Sequence, residues 1–195
     1  MSSTADWSEF KLNKQLLDAV ADAGFSAPTE IQQKCIPLIS GGQQVIGIAQ
    51  TGTGKTAAYM LPVLLKLRYA QGTDARALIL VPTKELVIQV AEHARAFAKY
   101  TDLRVVEIYG GVGPKTQIEK IQSGLDLLIA TPGRFMEIYL RSELPVKQIK
   151  TLVLDEADKM MDMGFMPQLR KIFEVIPPKR QNILFSATFP EKVER

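Results

Sequence analysis

One eight-residue stretch limits what this chain can fold into more than any other feature. It comprises Ala49, Gln50, Thr51, Gly52, Thr53, Gly54, Lys55 and Thr56. The stretch fits the pattern G-x-x-x-x-G-K-[ST] if alanine replaces the first glycine. The apolar run Val45–Ile48 before it predicts a buried strand, and residues 57–61 after it predict a helix. This arrangement favours an α/β domain with a phosphate-binding loop over an ordinary Gly/Thr-rich turn.

The residues of this loop have the chemistry that a nucleoside triphosphate requires. Gly52 and Gly54 carry no Cβ, so the backbone can curl and aim its N–H groups at one point. Lys55 can reach the β- and γ-phosphates, and the Thr56 hydroxyl can bind Mg²⁺.

Five further apolar runs predict strands at 77–81, 105–109, 125–129, 151–154 and 182–185. Helical patterns separate most of them, so right-handed crossovers predict one parallel sheet with helices on both faces. The 195 residues suit a single α/β domain. We expect residues 1–40 to form a helical segment packed on a core of residues 41–195.

Small, polar or charged residues follow every predicted strand. Beyond the loop at 49–56, they are Pro82, Thr83, Lys84 and Glu85; Gly110 and Gly111; Thr131, Pro132, Gly133 and Arg134; Asp155, Glu156, Ala157 and Asp158; and Ser186, Ala187 and Thr188. In a parallel sheet the carboxyl ends of the strands lie along one edge, where such folds bind ligands. We therefore expect one functional edge on which Lys55, Asp155 and Gln32 lie together.

The acidic pair at 155–156 follows an apolar strand, as a magnesium-holding carboxylate should. Asp155 is expected to hold Mg²⁺, partly through water, and Glu156 to orient or deprotonate the attacking water. The alternative is a pair of acidic residues favoured by a helix N-terminus. Asp158 could accept hydrogen bonds from Ser186 or Thr188.

The segments 82–84, 110–111 and 131–134, which follow three of the predicted strands, offer hydroxyls, exposed N–H groups, glycines and cations. These groups suit a sugar-phosphate backbone that is read without base specificity. Ordinary turns and helix caps remain the alternative. If the first interpretation holds, Thr131 and Arg134 face solvent.

The segment 24–32 precedes the first strand and can fold over the nucleotide end of the sheet. Thr29 is a plausible N-cap, and the amide of Gln32 can match the donor–acceptor pair on the edge of adenine. A solvated helical glutamine is the alternative.

The remaining composition excludes several classes of protein. Cys35 is the only cysteine and His93 the only histidine, so an internal disulfide and a zinc site built from several histidines lack parts. A net charge of +3 is compatible with a polyanionic partner. We expect no signal peptide and no membrane span, a reducing compartment, and a cytoplasmic location.

In combination and order, these segments resemble the first RecA-like domain of the DEAD-box RNA helicases. Residues 155–158 read Asp-Glu-Ala-Asp, the motif that gives the family its name. The segment 24–32 is similar to the Q motif, 49–56 to motif I, 82–86 to motif Ia, 131–134 to motif Ib and 186–188 to motif III. The resemblance covers Trp7 to Thr188 and implies a RecA-like P-loop fold and an RNA-stimulated ATPase that uses ATP and Mg²⁺.

The resemblance also implies roles for individual residues. The nucleotide would contact Trp7, Phe25, Thr29, Gln32 and the loop from Gln50 to Thr56. Lys55, Asp155 and Glu156 would be catalytic, and Thr56 and Asp155 would hold Mg²⁺. RNA would contact Pro82, Thr83, Lys84, Gly110, Gly111, Thr131, Pro132, Gly133 and Arg134. Coupling between the two sites would involve Asp158, Ser186 and Thr188.

Three residues depart from the family pattern. Trp7 replaces the usual Phe, which preserves stacking. Lys84 replaces the usual Arg and offers a point charge in place of a planar fork, so the RNA contact there should weaken. Val87 replaces the usual Ala.

Family members carry a second RecA-like domain that supplies an arginine finger, and we expect it to be a partner of this chain. Alone, these residues should be monomeric, bind nucleotide modestly and RNA weakly, and hydrolyse ATP poorly. Two alternatives to an RNA helicase lobe stay open. One is a DNA translocase or another P-loop ATPase, and the other is an ATP-gated RNA clamp that does not turn over.

Overall fold

The computed structural model describes residues 6–141 and 144–188. Its six strands are β1 (Val45–Ile48), β2 (Ala77–Leu80), β3 (Val105–Ile108), β4 (Leu127–Ala130), β5 (Thr151–Asp155) and β6 (Gln181–Ser186). They form one sheet in the order β1-β6-β5-β2-β4-β3, and every pairing is parallel. The predicted α/β fold with a parallel sheet is confirmed.

Eight α-helices lie in the described part of the chain. They are α1 (Lys14–Asp22), α2 (Glu30–Ser40), α3 (Lys55–Leu67), α4 (Lys84–Phe97), α5 (Lys115–Gln122), α6 (Pro132–Leu140), α7 (Ala157–Asp162) and α8 (Met166–Val175), and a short 3₁₀ helix spans Trp7–Phe10. Within these residues, no helix combines the length and apolar character needed to cross a bilayer.

Alternate residues of the central strands pack into two separate cores. Ile79 of β2 joins the core that contains residues of α1 to α4, and its neighbours Leu78 and Leu80 join the core formed with α5 to α8. Because successive side chains of a strand point to opposite faces, a strand buried on both sides reads as a continuous apolar run. The helices therefore cover both faces, as predicted.

The N-terminal segment packs directly on the domain core. Trp7 and Phe10 belong to the same apolar core as α3 and α4. Gln181 at the start of β6 adds a polar connection, since its Nε2 donates to the carbonyls of Ile39 at 3.1 Å and Gln43 at 2.7 Å. These contacts fix α2 against the edge of the sheet where β1 begins.

Two features differ from the sequence expectation. The pattern did not predict α7 and α8, which connect β5 to β6. The fourth strand begins at Leu127 rather than Leu125, because Asp126 lies at the end of the sheet where the strands begin and its side chain binds two arginines there. Its buried carboxylate accepts hydrogen bonds from Arg76 at 2.8 Å and Arg104 at 3.1 Å.

Candidate functional site

A cavity of about 410 Å³ opens at the carboxyl edge of the sheet. Its walls come from the segment before α2, the loop before α3, one face of α4 and the residues that end β5. They include Phe25, Thr29, Gln32, Thr51, Gly52, Gly54, Lys55, Thr56, Gln89, His93, Asp155 and Glu156. The volume lies in the usual range for small-molecule sites. The expected grouping of Lys55, Asp155 and Gln32 is therefore present.

The loop before α3 adopts its shape through two glycines with left-handed backbone angles. Gly52 has φ 88° and Gly54, the N-cap of α3, has φ 83°. A Cβ on Gly54 would also lie 2.6 Å from Gln32 Nε2 and 3.0 Å from Thr29 Oγ1. Only glycine fits here without displacing its neighbours. Because α3 begins beside the cavity, the N–H groups of its first turn favour an anion there.

Gln32 joins the segment before α2 to this loop. Its Oε1 accepts from the Thr29 N–H at 2.8 Å, and its Nε2 donates to the Gly54 carbonyl at 3.1 Å. A primary amide has two donor hydrogens and two acceptor lone pairs. One donor and one acceptor therefore remain, which is the pair that the edge of an adenine requires.

Lys55 lies between two carboxylates at the floor of the cavity. Its Nζ is 3.0 Å from Asp155 Oδ1 and 3.3 Å from Glu156 Oε1. Lys159 Nζ lies 3.2 Å from the other oxygen of Glu156. Glu156 has a left-handed backbone (φ 58°) at the sharp turn from β5 into α7. A cation beside two buried carboxylates can exchange them for phosphate oxygens when a nucleotide enters.

Tyr59 is a member of the site that sequence reasoning missed. Its hydroxyl donates to Asp155 Oδ2 at 2.7 Å, and its ring is fully buried against Phe185. The available signal was spacing: Tyr59 lies four residues after Lys55, so both side chains leave the same face of α3. The sequence around it indicates only an apolar helix.

Asp158 is linked to the end of β6. The Thr188 hydroxyl donates to Asp158 Oδ2 at 3.3 Å, and the Asp158 N–H donates to Ser186 Oγ at 3.3 Å. Burial acts to raise the pKa of Asp158, but hydrogen bonds from the Lys159 N–H, Ser186 and Thr188 outweigh it and hold the pKa below its ordinary value. The carboxylate is thus charged at neutral pH.

Three residues expected at the nucleotide do not line this cavity. Trp7 lies behind Phe25, with the two rings stacked at 6.2 Å between centroids, and Trp7 is only 6% exposed. Gln50 and Thr53 line a neighbouring, more open pocket on the other side of the loop.

Two residues of α4, Gln89 and His93, form a wall of the cavity that the sequence did not indicate. They lie on an exposed helical face, which has no apolar pattern that would mark it.

The segments expected to hold a nucleic-acid backbone follow β2, β3 and β4. Lys84 is exposed, with its Nζ 5.9 Å above the Tyr109 ring, and Gly111 and Gly133 are exposed. Thr83 caps α4, with the Leu86 N–H bonded to Thr83 Oγ1 at 3.2 Å. Gly110 is half-buried, while Pro82 and Pro132 are buried.

The expectation that Thr131 and Arg134 face solvent is wrong. Thr131 is 9% exposed and Arg134 is 7% exposed. The guanidinium of Arg134 is turned inward, where Nη2 donates to the Val112 carbonyl at 2.8 Å and Nε lies 3.0 Å from Glu137 Oε2. Internal partners therefore occupy the guanidinium of Arg134, which was expected to contact phosphate.

The strand order separates the two sets of segments. The loop before α3, the acidic turn and residues 186–188 follow β1, β5 and β6, which are neighbours in one half of the sheet. The segments at 82–84, 110–111 and 131–134 follow β2, β3 and β4, which form the other half. The two halves meet where β5 pairs with β2.

Comparisons with known proteins agree with this geometry. A family model described as DEAD/DEAH box helicase matches residues 29–195. The ATP-dependent RNA helicase RhlB of Pseudomonas putida is 43% identical over 194 residues, which cover 95% of this chain and 49% of that protein. The ATP-dependent RNA helicase DBP10 of Meyerozyma guilliermondii is 40% identical over 193 residues, 98% of this chain and 21% of that protein.

Solved structures give the same result. The crystal structure of a DEAD box protein from the hyperthermophile Methanococcus jannaschii matches with a TM-score of 0.91 at 34% identity, covering 97% of this chain and 52% of that one. This chain spans between 16% and 49% of the length of the curated relatives named here and of the pre-mRNA-processing helicase prp-5 of Neurospora crassa.

Proposed function

This chain belongs to the DEAD/DEAH box helicase family and has its RecA-like fold, and from that membership we propose that it is the ATP-binding lobe of an ATP-dependent RNA helicase. The observation that carries the proposal is the contact of Lys55 with both Asp155 and Glu156, at 3.0 and 3.3 Å, in the cavity that Gln32 also lines. The curated relatives RhlB and DBP10 are themselves named ATP-dependent RNA helicases.

ATP would bind with its phosphates at the start of α3 and its base near Gln32 and Phe25. The free N–H groups after Gly54 and the helix dipole favour the phosphates. Lys55 would then leave Asp155 for the β- and γ-phosphates. Phe25 is 37% exposed and offers a ring to the base, with Trp7 supporting it from behind.

Magnesium fits the side chains at this cavity. Asp155 Oδ1 is buried and receives no hydrogen bond, although Lys55 Nζ lies 3.0 Å from it, and Thr56 is half-buried at the start of α3. The described residues contain no group of three or more His, Cys, Asp or Glu side chains that could hold a metal, so phosphate oxygens and water would complete the coordination. When bound, the ion would neutralise charge on the β- and γ-phosphates.

Glu156 is proposed as the residue that orients and deprotonates the attacking water. Glu156 is 5% exposed and lines the cavity together with Lys55 and Thr56. Once Lys55 turns to the phosphates, Glu156 Oε1 becomes free to accept a proton. Asp158, Ser186 and Thr188 would couple this site to RNA through the hydrogen bonds that join α7 to β6.

RNA would bind along the β2–β4–β3 half of the edge, held by its sugar-phosphate backbone. Lys84, Thr83, Gly110, Gly111, Thr131 and Gly133 are the proposed contacts, with Pro82 and Pro132 shaping the segments. In the longer protein, a second RecA-like lobe would close over ATP and RNA and couple hydrolysis to local duplex separation. We further propose that this lobe is monomeric. We also propose a cytoplasmic location, because the lone Cys35 is buried and unpaired, as in a reducing compartment.

The test uses the full-length protein that contains this chain. Glu156→Gln should abolish RNA-stimulated ATP hydrolysis while ATP still binds, and Glu174→Gln at an exposed position of α8 should behave as the parent does. Turnover that survives in Glu156→Gln would remove Glu156 from its proposed role.

The nucleotide and nucleic-acid preferences of the same full-length protein distinguish the helicase from a DNA translocase and from an RNA clamp. Preference for ATP over GTP and for RNA over DNA supports the helicase, whereas stimulation by DNA would favour a translocase. RNA binding that requires ATP but proceeds without hydrolysis would favour a clamp.

A further inference from the structure

A buried glutamine holds the backbone at the exit of β3. Gln117 of α5 is 7% exposed. Its Oε1 accepts from the Tyr109 N–H at 3.3 Å, and its Nε2 donates to the Tyr109 carbonyl at 3.0 Å. The amide thus pairs with both polar groups of one residue on the outer side of the edge strand, as a neighbouring strand would.

The buried guanidinium of Arg134 completes the same network. Its Nη1 donates to Gln117 Oε1 at 3.3 Å and its Nη2 to the Val112 carbonyl at 2.8 Å. Arg134 therefore connects the first turn of α6 to the loop after β3. A planar fork holds two acceptors in a fixed geometry, which a lysine ammonium on a flexible stem does not reproduce.

The loop between these two anchor points consists of two glycines, which add no side-chain contacts to fix its shape. Gly110 and Gly111 have no side chains, Gly111 has φ 85°, and a Cβ on either would meet no atom within 4 Å. Its conformation is thus set from its ends, by Gln117 at Tyr109 and by Arg134 at Val112. Fixing a flexible glycine segment in advance lowers the entropy cost of binding a ligand.

The network also relates all three proposed RNA segments to one another. Arg134 belongs to the segment 131–134 and binds the loop that contains Gly110 and Gly111. The third segment joins through Tyr109, because Lys84 Nζ lies over its ring at 5.9 Å. Gln117 itself lies outside the three proposed RNA segments, which are 82–84, 110–111 and 131–134.

We propose that Gln117 and Arg134 are positioning residues that hold the three RNA segments in register, and that Arg134 does not itself contact a phosphate. This inference rests on the proposed function, since it assigns these residues to RNA binding. It differs from the sequence expectation, which placed Arg134 among the direct contacts.

The salt dependence of RNA affinity distinguishes the two roles. A side chain that neutralises a phosphate contributes about 0.7 to the slope of log affinity against log salt on a single strand. The full-length protein is titrated with single-stranded RNA at several salt concentrations. We expect Arg134→Met, Arg134→Lys and Gln117→Met each to weaken binding about tenfold with an unchanged slope. Lys84→Ala should lower the slope by about 0.7.

A matched control lies on the same helix as Gln117. Gln122→Met makes the same substitution at an exposed position of α5 and should leave RNA affinity unchanged. ATP affinity, measured in parallel, should stay at the parent value in every variant, which shows that the nucleotide half is folded. Gln117→Glu keeps an acceptor for Arg134 and loses the donor to Tyr109, so it replaces Gln117→Met if that variant does not melt cooperatively.

Two results would overturn the inference. One is a slope lowered in Arg134→Met but kept in Arg134→Lys, because a point charge suffices for a phosphate. The other is RNA affinity that does not change in the Gln117 and Arg134 variants. If the unsubstituted protein binds no RNA while it binds ATP, the proposed function itself fails.

Discussion

The Tyr59 hydroxyl donates a 2.7 Å hydrogen bond to Asp155 Oδ2, although the two residues belong to α3 and β5. Burial, followed by the negative charge of Asp155, raises the pKa of Tyr59 well above its ordinary value, so the hydroxyl keeps its proton. With Oδ2 occupied in this way, Asp155 directs Oδ1 toward Lys55 at 3.0 Å. Tyr59 thus fixes one carboxylate oxygen, and Lys55 pairs with the other until it turns to a phosphate.

Tyr59→Phe should therefore weaken magnesium-dependent nucleotide binding. The ring and its packing against Phe185 remain, but Asp155 Oδ2 loses its partner and the carboxylate can rotate. Loss of one hydrogen bond to a charged group predicts about a tenfold decrease in affinity. Calorimetric titration with ATP, with and without Mg²⁺, measures it. Tyr69→Phe at an exposed position is the control, and equal effects with and without Mg²⁺ would contradict the positioning of a metal-holding carboxylate.

Gly54→Ala should abolish nucleotide binding while leaving most of the fold intact. The added Cβ would require a strained left-handed backbone and would lie 2.6 Å from Gln32 Nε2, so the loop must move away from the segment before α2. We expect at least a hundredfold loss of ATP affinity. Gly133→Ala serves as the control, since its φ is ordinary and a Cβ there meets nothing within 4 Å. Normal ATP binding by Gly54→Ala would show that the contact with Gln32 can be dispensed with.

Trp7 and Phe25 should respond differently to truncation, despite their stacking. Trp7 is buried in the core, so Trp7→Ala should lower the free energy of unfolding by about 3 kcal/mol. Phe25 lines the cavity and is 37% exposed, so Phe25→Ala should reduce ATP affinity with a smaller loss of stability. Denaturant unfolding and ATP titration of both variants test this pair. If the Trp7 variant is as stable as the parent but binds ATP weakly, the sequence assignment of Trp7 to the nucleotide is restored.

Asp126 should make stability fall steeply in acid. Burial acts to raise the pKa of this carboxyl, but hydrogen bonds from Arg104 and Arg76 outweigh it and lower the pKa to about 2. Because the folded value lies below the unfolded value, the stabilisation is complete above the unfolded pKa near 4 and is lost as pH falls through about 2. Asp126→Asn should be less stable than the parent at pH 7, with a difference that shrinks between pH 4 and pH 2.

Melting temperatures across that range measure the effect. Asp18→Asn, at an exposed position on α1, is the comparison variant. A difference between parent and Asp126→Asn that stays constant down to pH 2 would show that the charge of Asp126 is not what stabilises the fold.

Much of the fold followed from local patterns. The loop at 49–56, the apolar runs of five other strands and the polar residues after them predicted both the parallel sheet and the functional edge. The two features that the sequence did not predict, the start of β4 and the polar role of Tyr59, have physical causes. The fourth strand starts late because Asp126 binds two arginines that are distant in sequence. Tyr59 has the same helical spacing as an apolar core residue, and only its partner on β5 reveals the polar role.

Sequence by itself determined which residues could meet phosphates, because strand and helix periods are local and the chemistry of Gly, Lys, Thr, Asp and Glu is intrinsic. Tertiary structure alone decided where they act. In chain order the nucleotide segments surround the RNA segments, and the strand order β1-β6-β5-β2-β4-β3 separates them into two halves. Only packing could show that Arg134 is directed inward, since its partners Val112 and Gln117 lie 22 and 17 residues away along the chain. Whether a charged side chain binds a ligand or its own protein depends on which acceptors the fold brings within reach, and the residue type leaves that open.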